Sequence, residues 1–317
     1  MQTRLTKALN IAHPILCAPM AFASGGALAA ATTQAGGLGF IGGGYGDADW
    51  LDEQFEIAGD TDVGCGFITW SLANNPALLK QVLDKSPRAI FLSFGNPAPF
   101  AAQIHAANVP LICQVQTLRD AKHAISIGAQ YIVAQGTEAG GHGEVRTTFT
   151  LVPEVADYIA NNAPKTILIA AGGIADGRGL AATLMLGADG VLIGSRLLAT
   201  TQALVHPNLL QALFNATGDD ALRSKIVDIV RGRYWPDRYT INLIQNAFSD
   251  EWHDRSDELR TNTDAQNSWN NALMTGDANI ANIFVGQGAG LINATDSTAN
   301  VITEIMADAS QHLSRWA

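Results

Sequence analysis

One histidine on a glycine-rich loop is the first candidate for chemistry in this chain. The stretch Gln135-Gly136-Thr137-Glu138-Ala139-Gly140-Gly141-His142-Gly143 follows the apolar run Tyr131-Ile132-Val133-Ala134. The run reads as a buried strand, and glycine lets the backbone after it turn sharply and approach a ligand closely. A histidine held there can titrate near neutral pH and face a pocket as acid or base. The other histidines, His13, His105, His123, His206, His253 and His312, lack such a context and read as surface or structural residues. His142, set between two glycines with no helical or strand periodicity around it, is the expected catalytic residue.

Two further glycine units suit a phosphate. Ala170-Ala171-Gly172-Gly173-Ile174-Ala175-Asp176-Gly177-Arg178 and Gly187-Ala188-Asp189-Gly190-Val191-Leu192-Ile193-Gly194-Ser195-Arg196 each place glycine directly after an apolar run. Backbone N–H groups, helped by a following helix N-terminus, can hold an anion there without a lysine. Gln114 and Gln116 share a parity within another apolar run, and an inward polar side chain in such a run needs a partner, so both are candidates for the polar edge of a cofactor. Cys17, Cys65 and Cys113 fall inside apolar runs without metal-ligand spacing. They read as small buried hydrophobes, and no metal site is expected.

The elements that position these residues repeat. Apolar runs at 14–18, 38–41, 63–68, 89–94, 110–115, 131–134, 166–170 and 190–193 alternate with helical patterns at 75–85, 118–127, 153–161 and 177–186. Strands alternating with helices imply right-handed βαβ units and a parallel sheet, and eight repeats fit a closed (β/α)8 TIM barrel; an open doubly wound sheet is the alternative. In such a barrel the ligand meets the loops after the C-terminal ends of strands, where Pro19-Met20, Gly42-Gly43-Gly44, the histidine loop, Gly172-Gly173 and Gly194-Ser195 fall. After about Leu204 the alternation stops, so the expected division is a barrel over 1–204 and a mostly helical appendage over 205–317. The appendage is aromatic-rich and needs a surface to bury against, so it is expected to cover the active rim. An amphipathic stretch at 298–316 is expected to return to the barrel wall as the last helix.

Composition narrows the partners. The 317 residues are 47% apolar and 15% charged, with a net charge of −10. No basic run exists to neutralise phosphates of a nucleic acid. No apolar segment reaches the ~18 residues of a membrane span, and the N-terminus lacks a leader pattern, so a soluble, cytoplasmic protein is expected.

Several of these motifs, in order, resemble a known family. Pro14-Ile15-Leu16-Cys17-Ala18-Pro19-Met20, Ala35-Gly36-Gly37-Leu38-Gly39-Phe40-Ile41-Gly42, the histidine loop, Ala170 through Ile174, Ile193-Gly194-Ser195-Arg196 and Phe284-Val285-Gly286-Gln287-Gly288-Ala289-Gly290-Leu291-Ile292 together resemble the FMN-dependent nitronate monooxygenases, formerly called 2-nitropropane dioxygenases. The resemblance implies that Ala18, Pro19 and Met20 line the flavin ring through their backbone. It implies further cofactor contacts from Gly66, Gln135, Ala139, Gly140 and Gly172, a phosphate held by Gly173 and Leu192-Ile193-Gly194-Ser195, and a substrate facing His142. Gln114 joins the cofactor set as the polar candidate named above. One departure is visible: many members place Asn after the Gly-Val of the third strand, whereas this chain has Gly64-Cys65-Gly66-Phe67.

The function so implied is FMN-dependent oxidation of alkyl nitronates, and of nitroalkanes if His142 deprotonates them, by molecular oxygen to a carbonyl compound and nitrite. The alternatives are a flavin-dependent enoyl-acyl-carrier-protein reductase, whose family shares the Glu-Ala-Gly-Gly-His loop, and a non-redox barrel binding a phosphorylated ligand. The reductase needs NADH, and the chain shows no second glycine-rich nucleotide fingerprint. Expected partners are the small-molecule nitronate and O2, with no nucleic acid and no membrane; a homodimer is one assembly compatible with this reading.

Overall fold

The computed structural model describes residues 1–315. Its strands are β1 (Ile15–Cys17), β2 (Phe40–Gly44), β3 (Gly64–Ile68), β4 (Ile90–Ser93), β5 (Leu111–Val115), β6 (Tyr131–Gln135), β7 (Gly141–Gly143), β8 (Ile167–Ala171), β9 (Gly190–Ile193), β10 (Ala221–Ser224) and β11 (Thr240–Ile244). Eight of them pair in parallel in the order β1-β9-β8-β6-β5-β4-β3-β2. The two ends of that series meet through a parallel bridge between Leu16 and Leu38. There the Cys17 N–H donates to the Leu38 carbonyl at 3.0 Å and the Leu38 N–H to the Ile15 carbonyl at 3.1 Å. The sheet therefore closes into a (β/α)8 barrel with no free edge.

Each of the eight apolar runs holds one of these strands because both faces of a parallel barrel are buried. Ile15, Cys17, Ile41, Cys65, Phe67, Leu92 and Ile132 face the surrounding helices. Leu16, Phe40, Phe91, Ile112, Val133, Ile169 and Leu192 fill the interior together with Leu5 and Leu9. The latter two come from the helix Arg4–Leu9, which plugs the bottom of the barrel. Its Arg4 fixes the plug by donating to the carbonyls of Pro164 and Thr166, both at 2.8 Å.

The helices follow their capping signals. Thr117 accepts from the Asp120 N–H to start Leu118–Ser126, and Asp176 accepts from the Gly179 N–H to start Gly177–Met185. One helix begins earlier than its pattern suggested, at Thr148 rather than Pro153. Thr147 makes no side-chain cap; instead Glu138, in the histidine loop, accepts the Thr148 N–H at 2.9 Å. A cap supplied from ten residues away leaves no local signature.

Between β9 and the final helix lies an inserted segment of short helices and the strands β10 and β11. These strands pair antiparallel, and β11 pairs antiparallel with β7, setting Ile241 opposite His142. The glycine-rich stretch around His142, expected as a loop without periodicity, is thus partly a strand. Its ladder partner comes from a distant part of the chain, which local patterning cannot reveal. The segment expected to be mostly helical also contributes two strands of this small sheet.

The helix Thr298–Ser314 packs on Gly177–Met185 and Gly26–Gln34 and buries Val301, Ile302, Ile305, Met306 and Ala309 in the main core. It takes the place of the helix after β9; Trp316, the expected end of this stretch, lies outside the described residues. Among the described residues no helix is long and apolar enough to cross a membrane.

The contact between the last helix and the barrel is tight at Gly177. A Cβ there would sit 2.2 Å from the Ala309 nitrogen and 2.6 Å from the Ile305 carbonyl oxygen. Alanine normally favours a helix over glycine. Here Gly177→Ala is expected instead to destabilise by about 1–3 kcal/mol, the usual effect of overpacking, seen as a lower urea midpoint at unchanged slope. A midpoint equal to or above that of the wild type would refute the tight seating of the final helix.

Candidate active site

A cavity of about 1270 Å³, open mouth included, lies over the C-terminal ends of the barrel strands. Ala18, Pro19 and Met20 line it after β1, Gly66 in β3, Gln114 in β5 and Gln135 at the end of β6. Ala139, Gly140 and His142 line it from the histidine loop, Gly172 and Gly173 from the turn after β8, and Leu192, Gly194 and Ser195 from β9 and its turn. Ile193 does not join them: its side chain is buried among the outer core residues, as the alternation of a strand requires. Only its carbonyl works at the rim, accepting the Ala18 N–H at 2.9 Å. The cysteines stay out of the cavity, and burial pushes the Cys17 and Cys113 thiols up to about 12 and Cys65 up as well. These are packing residues.

Three glutamines, Gln116 and Gln135 buried and Gln114 partly so, hold the histidine loop from below. Gln135 Oε1 accepts from Gln114 Nε2 at 3.1 Å and from Gln116 Nε2 at 2.7 Å, while Gln135 Nε2 donates to the His142 carbonyl at 3.1 Å. The chain of amides satisfies each buried group and fixes the strand-end geometry. Gln116 therefore serves Gln135 and does not reach the cavity, whereas Gln114 does both.

The inserted segment holds the same loop from above. Arg223 donates to the Thr137 carbonyl at 2.8 Å and to the Thr240 carbonyl at 2.9 Å, and Asn242 donates to the Ala139 carbonyl at 3.0 Å. Gly140 crosses the segment Phe284-Val285-Gly286 so closely that a Cβ on it would meet the Gly286 nitrogen at 2.8 Å. A Cβ on Gly286 would lie 2.0 Å from the Glu138 carbonyl oxygen. Both glycines are explained by this crossing of backbones.

His142 and Asp228 form the polar centre. His142 Nε2 lies 2.9 and 3.0 Å from the two carboxylate oxygens of Asp228, and both residues are buried. The imidazole stacks on Trp235, with ring centroids 3.4 Å apart and planes 8° from parallel, and meets the edge of Phe94. Phe94 carries a φ of 62° just after β4, a left-handed conformation costly for a bulky residue, and it is held there by packing on Trp235 and Tyr239. Burial holds the His142 pKa below its ordinary value of 6.5; the Asp228 hydrogen bond opposes that shift, and Arg231 and Arg223 reinforce it. The contact is accordingly a hydrogen bond from neutral imidazole rather than an ion pair. With Nε2–H given to Asp228, Nδ1 has no partner among the described residues and carries the basic lone pair.

Sequence patterning did not single out Asp228, Tyr45 or Arg231, whereas Trp235 is one of the appendage aromatics expected over the active rim. Asp228 had a signal: it is the lone acid in Ile226-Val227-Asp228-Ile229-Val230, a run buried throughout, and an acid so placed needs a partner.

The phosphate candidates are backbone groups. Gly172 and Gly173 have φ of 108° and 72°, and a Cβ on Gly172 would meet Thr148 Oγ1 at 2.8 Å and the Gly136 carbonyl oxygen at 2.9 Å. The N–H groups of Gly172, Gly173, Gly194 and Ser195 have no carbonyl partner among the described residues. The helix after Gly194 spans only Ser195–Leu198, so its dipole adds little and these N–H groups must do the work. Gly66 leaves no room for a side chain, because a Cβ there would meet the Pro19 ring at 2.4 Å.

An NMR titration of the His142 imidazole should give a pKa below 6.5 in the wild type. In Asp228→Asn the stabilising carboxylate is gone, so the pKa should fall further. A value at or above 6.5 in the wild type would overturn the neutral assignment.

The family sequence model for nitronate monooxygenase matches residues 2–60 and 71–308, omitting the third strand that carries Gly66. The nitronate monooxygenase of Neurospora crassa is 30% identical, across 99% of this chain and 95% of that protein. Among solved structures, FabK from Thermotoga maritima superposes with a TM-score of 0.85 at 30% identity, covering 99% of this chain and 98% of its own. A nitroalkane oxidase from Streptomyces ansochromogenes has a TM-score of 0.83 at 23% identity, covering 99% of this chain and 100% of its own, a likeness of fold. With a family match along nearly the whole chain and a full-length relative beside it, this protein belongs to the nitronate monooxygenase family of oxidoreductases.

Proposed function

We propose that the protein binds FMN and oxidises alkyl nitronates with molecular oxygen to a carbonyl compound and nitrite. The observation that carries this reading is the buried His142, kept neutral by burial and oriented by Asp228, facing a cavity whose floor is made of glycine turns. The residues present fit a flavin mononucleotide: Gly172, Gly173, Gly194 and Ser195 offer unpaired N–H groups for its phosphate, and the first two admit no side chain in the way. Ala18, Pro19, Met20, Gly66, Gln114, Gln135, Ala139, Gly140 and Leu192 would line the rest of it. When bound, FMN supplies the redox chemistry that couples nitronate oxidation to oxygen.

The chain's own part is proton handling and placement. With a neutral nitroalkane, His142 Nδ1 accepts the proton from the carbon beside the nitro group, leaving the nitronate anion; Asp228 steadies the imidazolium so formed. With a preformed nitronate no proton is removed, and His142 only positions the anion. Trp235, stacked on the imidazole, restricts its rotation and excludes water from one face.

A second reading is a flavin-dependent enoyl-acyl-carrier-protein reductase, favoured by the size of the cavity and its apolar walls from Phe94, Trp235 and Phe284. It demands rapid anaerobic bleaching of the flavin by NADH. Slow or absent bleaching is the expected result.

The direct test is a yellow flavin spectrum in the purified protein and nitrite release from alkyl nitronates under oxygen. His142→Ala should lose turnover of neutral nitroalkanes by the ~10²- to 10⁴-fold typical of a general base, with a smaller loss on nitronates and unchanged FMN content. Because the neutral imidazole is the base, wild-type kcat/KM on nitroalkanes should hold its plateau at neutral pH and fall only below pH 6.5. Equal loss on both substrates would remove the base role.

Gly194→Asp isolates the phosphate assignment. A Cβ at this position meets Ala18 Cβ at 3.5 Å and Met20 Sδ at 3.6 Å, ordinary contacts, so the fold should survive. The added carboxylate should leave mostly apoprotein by repelling the phosphate. A folded variant with full FMN content would defeat the assignment.

A further inference from the structure

The cavity holds one arginine that no carboxylate touches among the described residues. Arg231 lines it directly after the helix Ile226–Val230, three positions beyond Asp228. Its guanidinium lies over the rings of Phe22, Tyr45 and Phe284 at 5.3, 5.5 and 5.9 Å from their centroids. Among the described residues it makes no salt bridge and its side chain makes no hydrogen bond, since both oxygens of Asp228 are directed at His142. The other arginines near the histidine loop are engaged: Arg223 on Thr137 and Thr240, and Arg238 on Asp120 and Glu144. Arg233 stacks on Tyr45 at 4.3 Å and does not line the cavity.

The nearby Asp228 carboxylate offsets the Arg231 charge but is turned to His142, so the guanidinium N–H donors stay free for an arriving oxyanion. Burial already presses Arg231 toward a lower pKa. An arginine fork also matches a pair of oxygens on one planar group, which a lysine would not.

We infer that Arg231 receives the anionic head of the substrate, and that the substrate is a monoanion with an apolar body. The single charge follows from Arg231 being the only lysine or arginine among the cavity-lining residues, and the apolar body from the surrounding aromatic rings. The identity of the head as a nitronate rests on the function proposed above; the placement of an anion on Arg231 does not. In this arrangement two residues three positions apart, one within a short helix and one just after it, divide the work. Asp228 holds the base, and Arg231 holds the charge that the base creates.

The test uses the holoenzyme and nitrate, a planar monoanion with the shape of the nitronate head that cannot turn over. Saturable quenching of tryptophan fluorescence reports its binding, since Trp235 lines the cavity. Arg231→Met should weaken nitrate binding on the order of 10- to 100-fold, the range for losing hydrogen bonds to a charged group; Arg231→Lys should fall between. Circular dichroism checks both folds, and if the methionine variant fails to fold, the lysine variant decides. Nitrate binding at wild-type strength in a folded variant, or no binding to the wild type, overturns the inference. Arg231-dependent nitrate binding without turnover of any nitronate leaves the anion site standing and defeats only the nitronate reading. Nitronate turnover with unchanged KM in Arg231→Met does the reverse. A nitronate bearing an added carboxylate should show a higher KM than its alkyl counterpart of equal length; a lower one overturns the single-charge assignment.

Discussion

The hydrogen bond between His142 and Asp228 joins the barrel to the segment inserted after β9. His142 belongs to the barrel, and Asp228 to the segment inserted after its eighth strand. The bond fixes which ring nitrogen is free, and the burial that surrounds it decides the charge of the ring. Without the inserted segment the imidazole would face water and titrate as an ordinary histidine. The protonation of the imidazole therefore depends on docking as much as on the histidine itself.

Docking is secured by redundant and mostly backbone-directed contacts. Gln135 fixes the His142 carbonyl from the barrel side, Arg223 and Asn242 fix Thr137 and Ala139 from the insert, and the ladder between β7 and β11 continues one small sheet across the junction. Glu138 adds a link in the other direction by capping the helix Thr148–Asn162. Shifts of the loop would thus disturb a helix of the barrel wall, a strand of the insert and the glutamine chain together. Such mutual dependence holds the His142 imidazole in one orientation toward the cavity.

Much of this was legible from residue order, and the remainder was invisible for definite reasons. The barrel strands stood out because a sheet buried on both faces writes unbroken apolar runs. The glycine turns and His142 stood out because they follow those runs. Ile193 was drawn into the cofactor set by its neighbours, although strand alternation sends its side chain outward. The strand character of Gly141–Gly143 was hidden because its partner, β11, lies far away in the chain. Asp228 carried a readable warning as an acid in an apolar run, but nothing local pointed from it to His142. Arg231 sits in an irregular stretch, where patterning has no period to detect.

The insert leaves the barrel after Ser195–Leu198 and returns at Thr298, so both its ends are anchored within a single strand-helix unit. The entropy of closing such a loop grows only slowly with its length, so the barrel can carry a segment this long between its last strand and last helix. Yet it is the segment that supplies the carboxylate for the histidine and the guanidinium in the cavity. The partner of the histidine and the one cavity arginine are in this way carried by the inserted part, while the glycine turns of the cavity floor and the histidine itself stay on the barrel. Divergence within such a fold can retune what is deprotonated and which anion is held without rebuilding the scaffold that makes either possible.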